Sequence, residues 1–190
     1  MGSLLLIAYV LGIVIVIFLA VLVVIYNTLV RLRNNIRKAW ANIDVLLEKR
    51  YDLIGKLVDT VKGYEQYERT LLVQITSLRT SWSNVQGDTN TQNKMTTSNQ
   101  ISQTLKTLFA NVENYPNLKA DQTFLELQQA LVSIENQIAD RREFYNDTVN
   151  EYNIKISVIP FVFFSGMLKY SRMQFFEAPE ASRGEVNVDV

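Results

Sequence analysis

LLLIAYVLGIVIVIFLAVLVVI, residues Leu4 to Ile25, carries no charged side chain, and only Ala8, Tyr9, Gly12, Phe18 and Ala20 interrupt its leucine, isoleucine and valine. A bilayer core of about 30 Å needs about 20 apolar residues at ~1.5 Å rise each, and 22 stand here. The stretch reads as a membrane-spanning helix. Beyond it Tyr26-Asn27-Thr28-Leu29-Val30 runs into Arg31, Arg33, Arg37 and Lys38 with no Gly or Pro, so the helix is expected to leave the bilayer and become the first helix of a water-exposed bundle. An anchor over 1–27, a bundle over 28–176 and a polar tail over 177–190 follow. The amino end lacks a basic n-region and no small-x-small site precedes Tyr26, which argues for a retained anchor over a cleaved signal peptide. The first acid after the span is Asp44, and the positive-inside rule then places the bundle in the cytoplasm and the N-terminus outside, in a single-pass protein of the cell membrane.

Composition narrows the chemistry. With the anchor set aside, about 160 residues remain, enough for one core. Nineteen cations balance nineteen acids, so no strong field recruits nucleic acid. The chain has no cysteine and no histidine. That removes thiolate chemistry, the commonest general base and the commonest transition-metal ligand, and with them zinc-type hydrolysis and Ser/His/Asp catalysis. Neither a cofactor nor catalysis is expected. Seven glycines and three prolines, Pro116, Pro160 and Pro179, favour long uninterrupted helices.

Apolar residues then recur every three or four positions, in one column from Leu29 through Ile36, Ile43, Leu57 and Leu71 to Leu78. A second column runs from Trp40 through Leu47, Ile54, Val61 and Ile75 to Trp82. Two adjacent columns are wider than the seam of a two-stranded coiled coil, so a bundle is favoured. Gly55 and Gly63 punctuate this helix, with a bend expected near Gly55. The polar stretch from Ser83 to Gln100 reads as a loop around Gly87 that merges into a helix start among Thr96, Thr97 and Ser98. Ile101, Leu105, Leu108 and Val112 mark a second helix, broken at Tyr115-Pro116-Asn117. Asp121 is placed to cap a third, whose face runs from Phe124 through Leu131, Ile138, Tyr145 and Tyr152 to Ile156.

The three helices would measure roughly 80, 30 and 55 Å, so the third overshoots the second and needs cover from the C-terminal segment or from another subunit. Pro160 to Phe176 is apolar and aromatic but too short to span a bilayer. It fits a short fourth helix completing the bundle, a segment in the lipid interface, or an intersubunit contact. The fold expected is all-α: a single N-terminal transmembrane helix continuing into a bundle of three long helices plus a short C-terminal one.

Several residues invite a functional reading. Tyr145-Asn146 and Tyr152-Asn153 lie a heptad apart, on one side of the third helix, and suit polar ties between helices. Arg50 falls in line with Ile43 and Leu57. With Arg141 and Arg142 it needs acidic partners, for which Glu135, Asp44, Asp52 and Glu68 are candidates; an anion site is the less favoured alternative. Glu65 with Glu68, or Glu135 with Asp140, could hold a metal only in a bundle that supplied Glu-x-x-His pairs, and none exists. In the span, Ala8 and Gly12, with Ala20 farther along, offer a close-approach face. Arg31, Arg33, Arg37 and Lys38 could each gain ~1 kcal/mol from anionic headgroups.

Tyr26-Asn27-Thr28-Leu29-Val30, Ala39-Trp40, Ile43-Asp44-Val45, Arg50-Tyr51-Asp52-Leu53-Ile54, Val61-Lys62-Gly63-Tyr64, Tyr115-Pro116-Asn117-Leu118-Lys119-Ala120 and the two late Tyr-Asn pairs together resemble the LemA family. The resemblance departs at Gly55, where the family pattern has proline, and over Val158 to Leu168, which is more apolar than usual. It implies an N-terminally anchored, largely antiparallel helical bundle and supplies no biochemical activity. The functional expectation is a non-enzymatic scaffold that binds membrane lipids, self-associates into a homo-oligomer and organises the cytoplasmic face of the membrane. The alternative is an adaptor that binds another membrane protein, such as a protease or sensor.

Overall fold

The structure, a computed structural model, describes residues 1–63 and 69–177. Helix α1 spans Gly2–Lys62, α2 Arg69–Ser83, α3 Thr91–Asn111, α4 Pro116–Lys119, α5 Gln122–Lys155 and α6 Phe161–Met167, with a 3-10 turn at Val112–Asn114. The all-α class and the apolar helix running on into the bundle are as expected. The first soluble helix is shorter than its apolar columns imply. It ends at Lys62, with Gly63 in a turn, and the columns are carried on by a separate helix, α2.

The chain forms two compact units, one made of Met1–Ala39 with Asn146–Gln174, the other of Trp40–Tyr145 with the chain from Phe175 onward. In the second, cross-helix contacts fix every direction. Arg79 of α2 stacks on the Tyr51 ring of α1 at 5.7 Å and Gln86 donates to Glu48 at 2.8 Å, so α2 runs back along α1. Lys94 meets Asp44 and Ser102 meets Arg50, which makes α3 parallel to α1. Glu135 faces Arg50 and Tyr145 faces Trp40, which makes α5 antiparallel to it. Leu47, Leu57, Ile75, Leu108, Phe124 and Leu131 are all fully enclosed in this unit's core, which takes most of the apolar residues of both columns in this unit out of water.

Local chemistry explains the boundaries. Helix α3 begins at Thr91, five residues ahead of the expected Thr96 start, because Asn90 caps it by accepting from Gln92 N at 3.0 Å. Asp88 in turn accepts from Asn90 N at 2.7 Å and from the Asn93 amide at 2.6 Å, and these bonds hold its carboxyl below the usual range. Asp121 caps α5 as expected, accepting from Phe124 N at 2.7 Å. Helix α1 passes through Gly55 without a break, and a Cβ there would meet only the Arg79 side chain, Cζ at 3.9 Å and Nε at 4.0 Å. Gly55→Ala is therefore expected to stabilise the protein by about 0.5–1 kcal/mol, since alanine loses less backbone entropy in a helix; chemical denaturation would show the midpoint rise.

In the first unit Ile25, Leu29, Leu32, Ile36 and Ala39 are buried on one side of α1, with Val149 and Tyr152 on α5 and Ile156 just past its end. Helix α6 closes with Tyr170 N donating to Ser165 O at 2.9 Å and Lys169 N to Gly166 O at 3.3 Å, the double bond of a Schellman end. Lys169 occupies the left-handed position at φ 56°, where glycine is the usual residue and a side chain costs about 1 kcal/mol.

Candidate functional site: a buried arginine and a basic membrane-proximal surface

Arg50 is 1% exposed, and an unpaired guanidinium could not remain there. Its Nη1 donates to Glu135 Oε1 at 2.8 Å and to Ser102 Oγ at 3.0 Å, while Nη2 donates to Ser98 Oγ at 3.0 Å. Ser102 Oγ in turn donates to Glu135 Oε2 at 2.5 Å. One cation thus joins α1, α3 and α5. Burial pushes the guanidinium below its ordinary value, and Glu135 opposes that shift. Of the other acids expected to partner it, Asp44 pairs instead with Lys94 at 2.9 Å, Asp52 is exposed, and Glu68 lies outside the described residues, as does Glu65 of the metal pair.

The second inward arginine is Arg142. Arg141, expected to tie helices, is exposed; it lines a shallow surface depression with Val45, Leu46 and Asp140. Arg142 lies over the Phe176 ring at 4.1 Å, and its Nε is buried without an acceptor. Burial lowers its proton affinity; Glu135 opposes the change and Arg50 adds to it. Phe176 is fully buried and also meets Trp40, at 6.1 Å, while Tyr145 packs edge-on to the same indole at 5.9 Å. Burial raises the Tyr145 hydroxyl.

The later Tyr-Asn pair does not bridge two helices as expected. Tyr152 OH donates to Ser171 O at 2.9 Å, and the Asn153 amide makes a two-way pair with Met173, Nδ2 to its O and its N to Oδ1, both at 2.9 Å. Both side chains read backbone, pinning the extended Ser171–Gln174 segment along α5 in the first unit. The segment is the cover that the overlong third helix requires. Asn146 is half-buried in the same unit and is also engaged in an interaction. Arg33 stacks on Tyr170 at 5.8 Å. Burial raises the Tyr152 hydroxyl, with Arg33 lowering it and Tyr170 adding to the rise.

Helix α1 is the one described helix long and apolar enough to cross a membrane, and its apolar window has no residue buried. Ala8 and Gly12 line a shallow apolar groove with Tyr9, Ile13, Val16 and Ile17; Ala20 is not part of it. A Cβ on Gly12 would meet nothing within 4 Å. Arg31, Arg33, Arg37 and Lys38 are all exposed. Together with Lys155, Lys169 and Arg172 they set seven cations against Asp147 and Glu151 in the first unit, a net charge of +5; because the whole chain is neutral, the remainder carries −5. Overall neutrality thus conceals a basic membrane-proximal unit, which sequence reading met only as the run after the span.

Among the described residues no group of three or more Asp or Glu is placed to hold a metal ion. Among the described residues of the second unit, the buried Arg50, Lys94 and Ser98 are engaged in bonds between helices, an arrangement that fixes packing.

A sequence profile of the LemA family matches residues 39–190. The magnetosome protein MamQ 2 of Paramagnetospirillum magneticum is 24% identical, covering 88% of this chain and 70% of that protein. The protein LemA of Metamycoplasma hominis is 27% identical over 161 residues, 85% of this chain and 73% of its own length. MamQ of Magnetospirillum gryphiswaldense is 21% identical, covering 86% and 69%. None of these names states an enzymatic activity.

Proposed function

We propose that this chain, which belongs to the LemA family, is a non-enzymatic scaffold anchored in the cell membrane by α1. Its bundle lies on the cytoplasmic side, and it self-associates to organise that membrane face. The supporting observation is the fate of the polar interior: Arg50, Glu135, Ser98 and Ser102 are consumed in one closed network across three helices, while the open surfaces are the apolar span and the basic unit beside it. A rigid body that spends its buried polar groups on its own packing suits presentation of a surface. The groove at Ala8 and Gly12 supports self-association in lipid, where close packing and not the hydrophobic effect drives helix contact. The relatives named for the magnetosome agree with a role at a membrane.

Crosslinking in native membranes tests the reading. Wild type is expected to give dimers and higher species, and Gly12→Leu, which fills the groove without touching the bundle, to reduce them several-fold. A wild type that stays monomeric at its natural density would sink the scaffold and leave the adaptor. The specific support for that second reading is the depression on the α1–α5 surface, where Val45 is 56% exposed beside Asp140 and Arg141.

A further inference from the structure

We propose that α6 and the turn before it form a second membrane contact, with Ile159 and the outer face of Val162, Phe163 and Met167 lying in the interface of the leaflet on the bundle's side, and anionic lipid headgroups against Lys155, Lys169 and Arg172. The inference rests on the reading of Leu4–Ile25 as a span, and goes beyond self-association.

Helix α6 is apolar on two faces. Its inner face is already engaged: Phe161 and Ser165 are buried, and Ser165 Oγ donates to Ile156 O at 3.0 Å. The outer face is surplus to that packing. Phe163 and Met167 stand four apart on one side of α6 and are 68% and 71% exposed, and Ile159, in the turn just ahead of the helix, is 77% exposed. A run of large apolar side chains on a short, well-fixed element calls for an apolar environment.

Depth identifies that environment. Ile25 is the last residue of the apolar stretch and is 3% exposed, although its neighbours Val23 and Val24 are 58% and 62% exposed. Within this unit the chain available to cover Ile25 is Asn146–Gln174, so part of that segment stands level with the end of the span. Arg33 lies over the Tyr170 ring, and Tyr152 OH donates to Ser171 O next to that ring, which places the end of α5 near residue 33. Helix α5 continues toward the span for three residues past Tyr152, ~4.5 Å at ~1.5 Å per residue, and the turn from Ile156 to Pro160 follows its end. Surface level with the end of the span meets headgroups and the first acyl carbons.

The rim has the matching charge. Lys155 Nζ lies 4.7 Å from the Phe161 ring centroid, Arg172 reaches Ser157 Oγ at 3.4 Å, and Lys169 holds the left-handed turn that ends α6. An apolar face edged with cations is the pattern of an interfacial helix on an anionic leaflet.

The chain contains no cysteine, so single-cysteine variants of the full protein can carry an environment-sensitive fluorophore in vesicles at low protein density. Phe163→Cys probes the proposed contact, Val16→Cys the middle of the span, and Gln129→Cys an exposed site on α5. With bilayer-resident spin-labelled lipid and about one anionic lipid in four, quenching at 163 is expected within about twofold of that at 16 and at least about fivefold above that at 129. Replacing the anionic lipid with zwitterionic lipid, or adding Lys169→Glu with Arg172→Glu, should reduce quenching at 163 and leave it unchanged at 16. A probe at 163 as open to aqueous iodide as the one at 129 overturns the proposal. A probe at 163 shielded from both quenchers overturns it as well and indicates a second copy on this face. Loss of quenching at 16 would instead refute the span itself, separating that failure from this one.

Discussion

Arg50→Met is expected to destabilise the protein by about 3–5 kcal/mol, and adding Glu135→Met to that variant to recover most of the loss. The single change removes the cation but leaves Glu135, 25% exposed at its side chain, facing a part-buried site with only Ser102 still bonded to it. The double change removes both desolvated charges together and replaces them with flexible apolar side chains. Ser98 and Ser102 remain satisfiable, since each sits on a helix and Ser102 Oγ already reaches Ser98 O at 3.1 Å. Denaturant unfolding of the full chain in detergent, followed by circular dichroism, measures all four corners of the cycle. Losses that simply add would mean that the pair is not coupled. Recovery in the double variant would show that the network specifies which helices meet, with little net gain in stability from its charges.

How far that network was legible depends on what each residue type encodes. Arg50 announced itself by standing in line with Ile43 and Leu57, because a charge on a buried stripe demands a partner, and Glu135 was among the few acids able to serve. Arg141 and Arg142 are adjacent, and one residue turns a helix by about 100°. Periodicity spread over a stripe two columns wide could not say which of them points inward. The turn after Lys62 was obscured for a related reason: α2 packs in the same bundle, so its apolar residues keep the spacing of α1, and only Gly63 marks the break. The cap of α3 was readable in principle from Asp88 and Asn90, both strong capping residues, but the polar run around them drew attention to the later threonines. The Tyr152 and Asn153 bonds were not readable, since their partners are the backbone atoms of Ser171 and Met173, and backbone carries no sequence signature. The same holds for the cover over α5. The apolar and aromatic run from Pro160 to Phe176 fits a short fourth helix, an interfacial segment or an intersubunit contact, yet the chain leaves helical geometry after Met167 and uses its last described residues as an extended strap.

That strap sets the second large effect. Phe176→Ala is expected to cost about 3–5 kcal/mol, against less than about 1 kcal/mol for Phe175→Ala next to it. Phe176 is fully buried whereas Phe175 is 42% exposed, so the two variants delete the same atoms from opposite sides of one extended segment. At 176 the deletion leaves a cavity against Trp40 and takes the aromatic face from Arg142, whose guanidinium lies 4.1 Å from it. A half-buried arginine with an unbonded Nε then loses its main compensation for leaving water. Water entering beside Trp40 should also shift its emission to the red before global unfolding, while Trp82, 1% exposed elsewhere in that unit, reports the core unchanged; a Trp82→Phe background isolates the Trp40 signal. Equal costs at 175 and 176 would mean that the segment is not seated as described, and the overlong α5 would again require cover from another subunit. A cost confined to 176 means that each chain closes its own bundle with its own C-terminal segment, and that the cover over α5 does not come from a second copy.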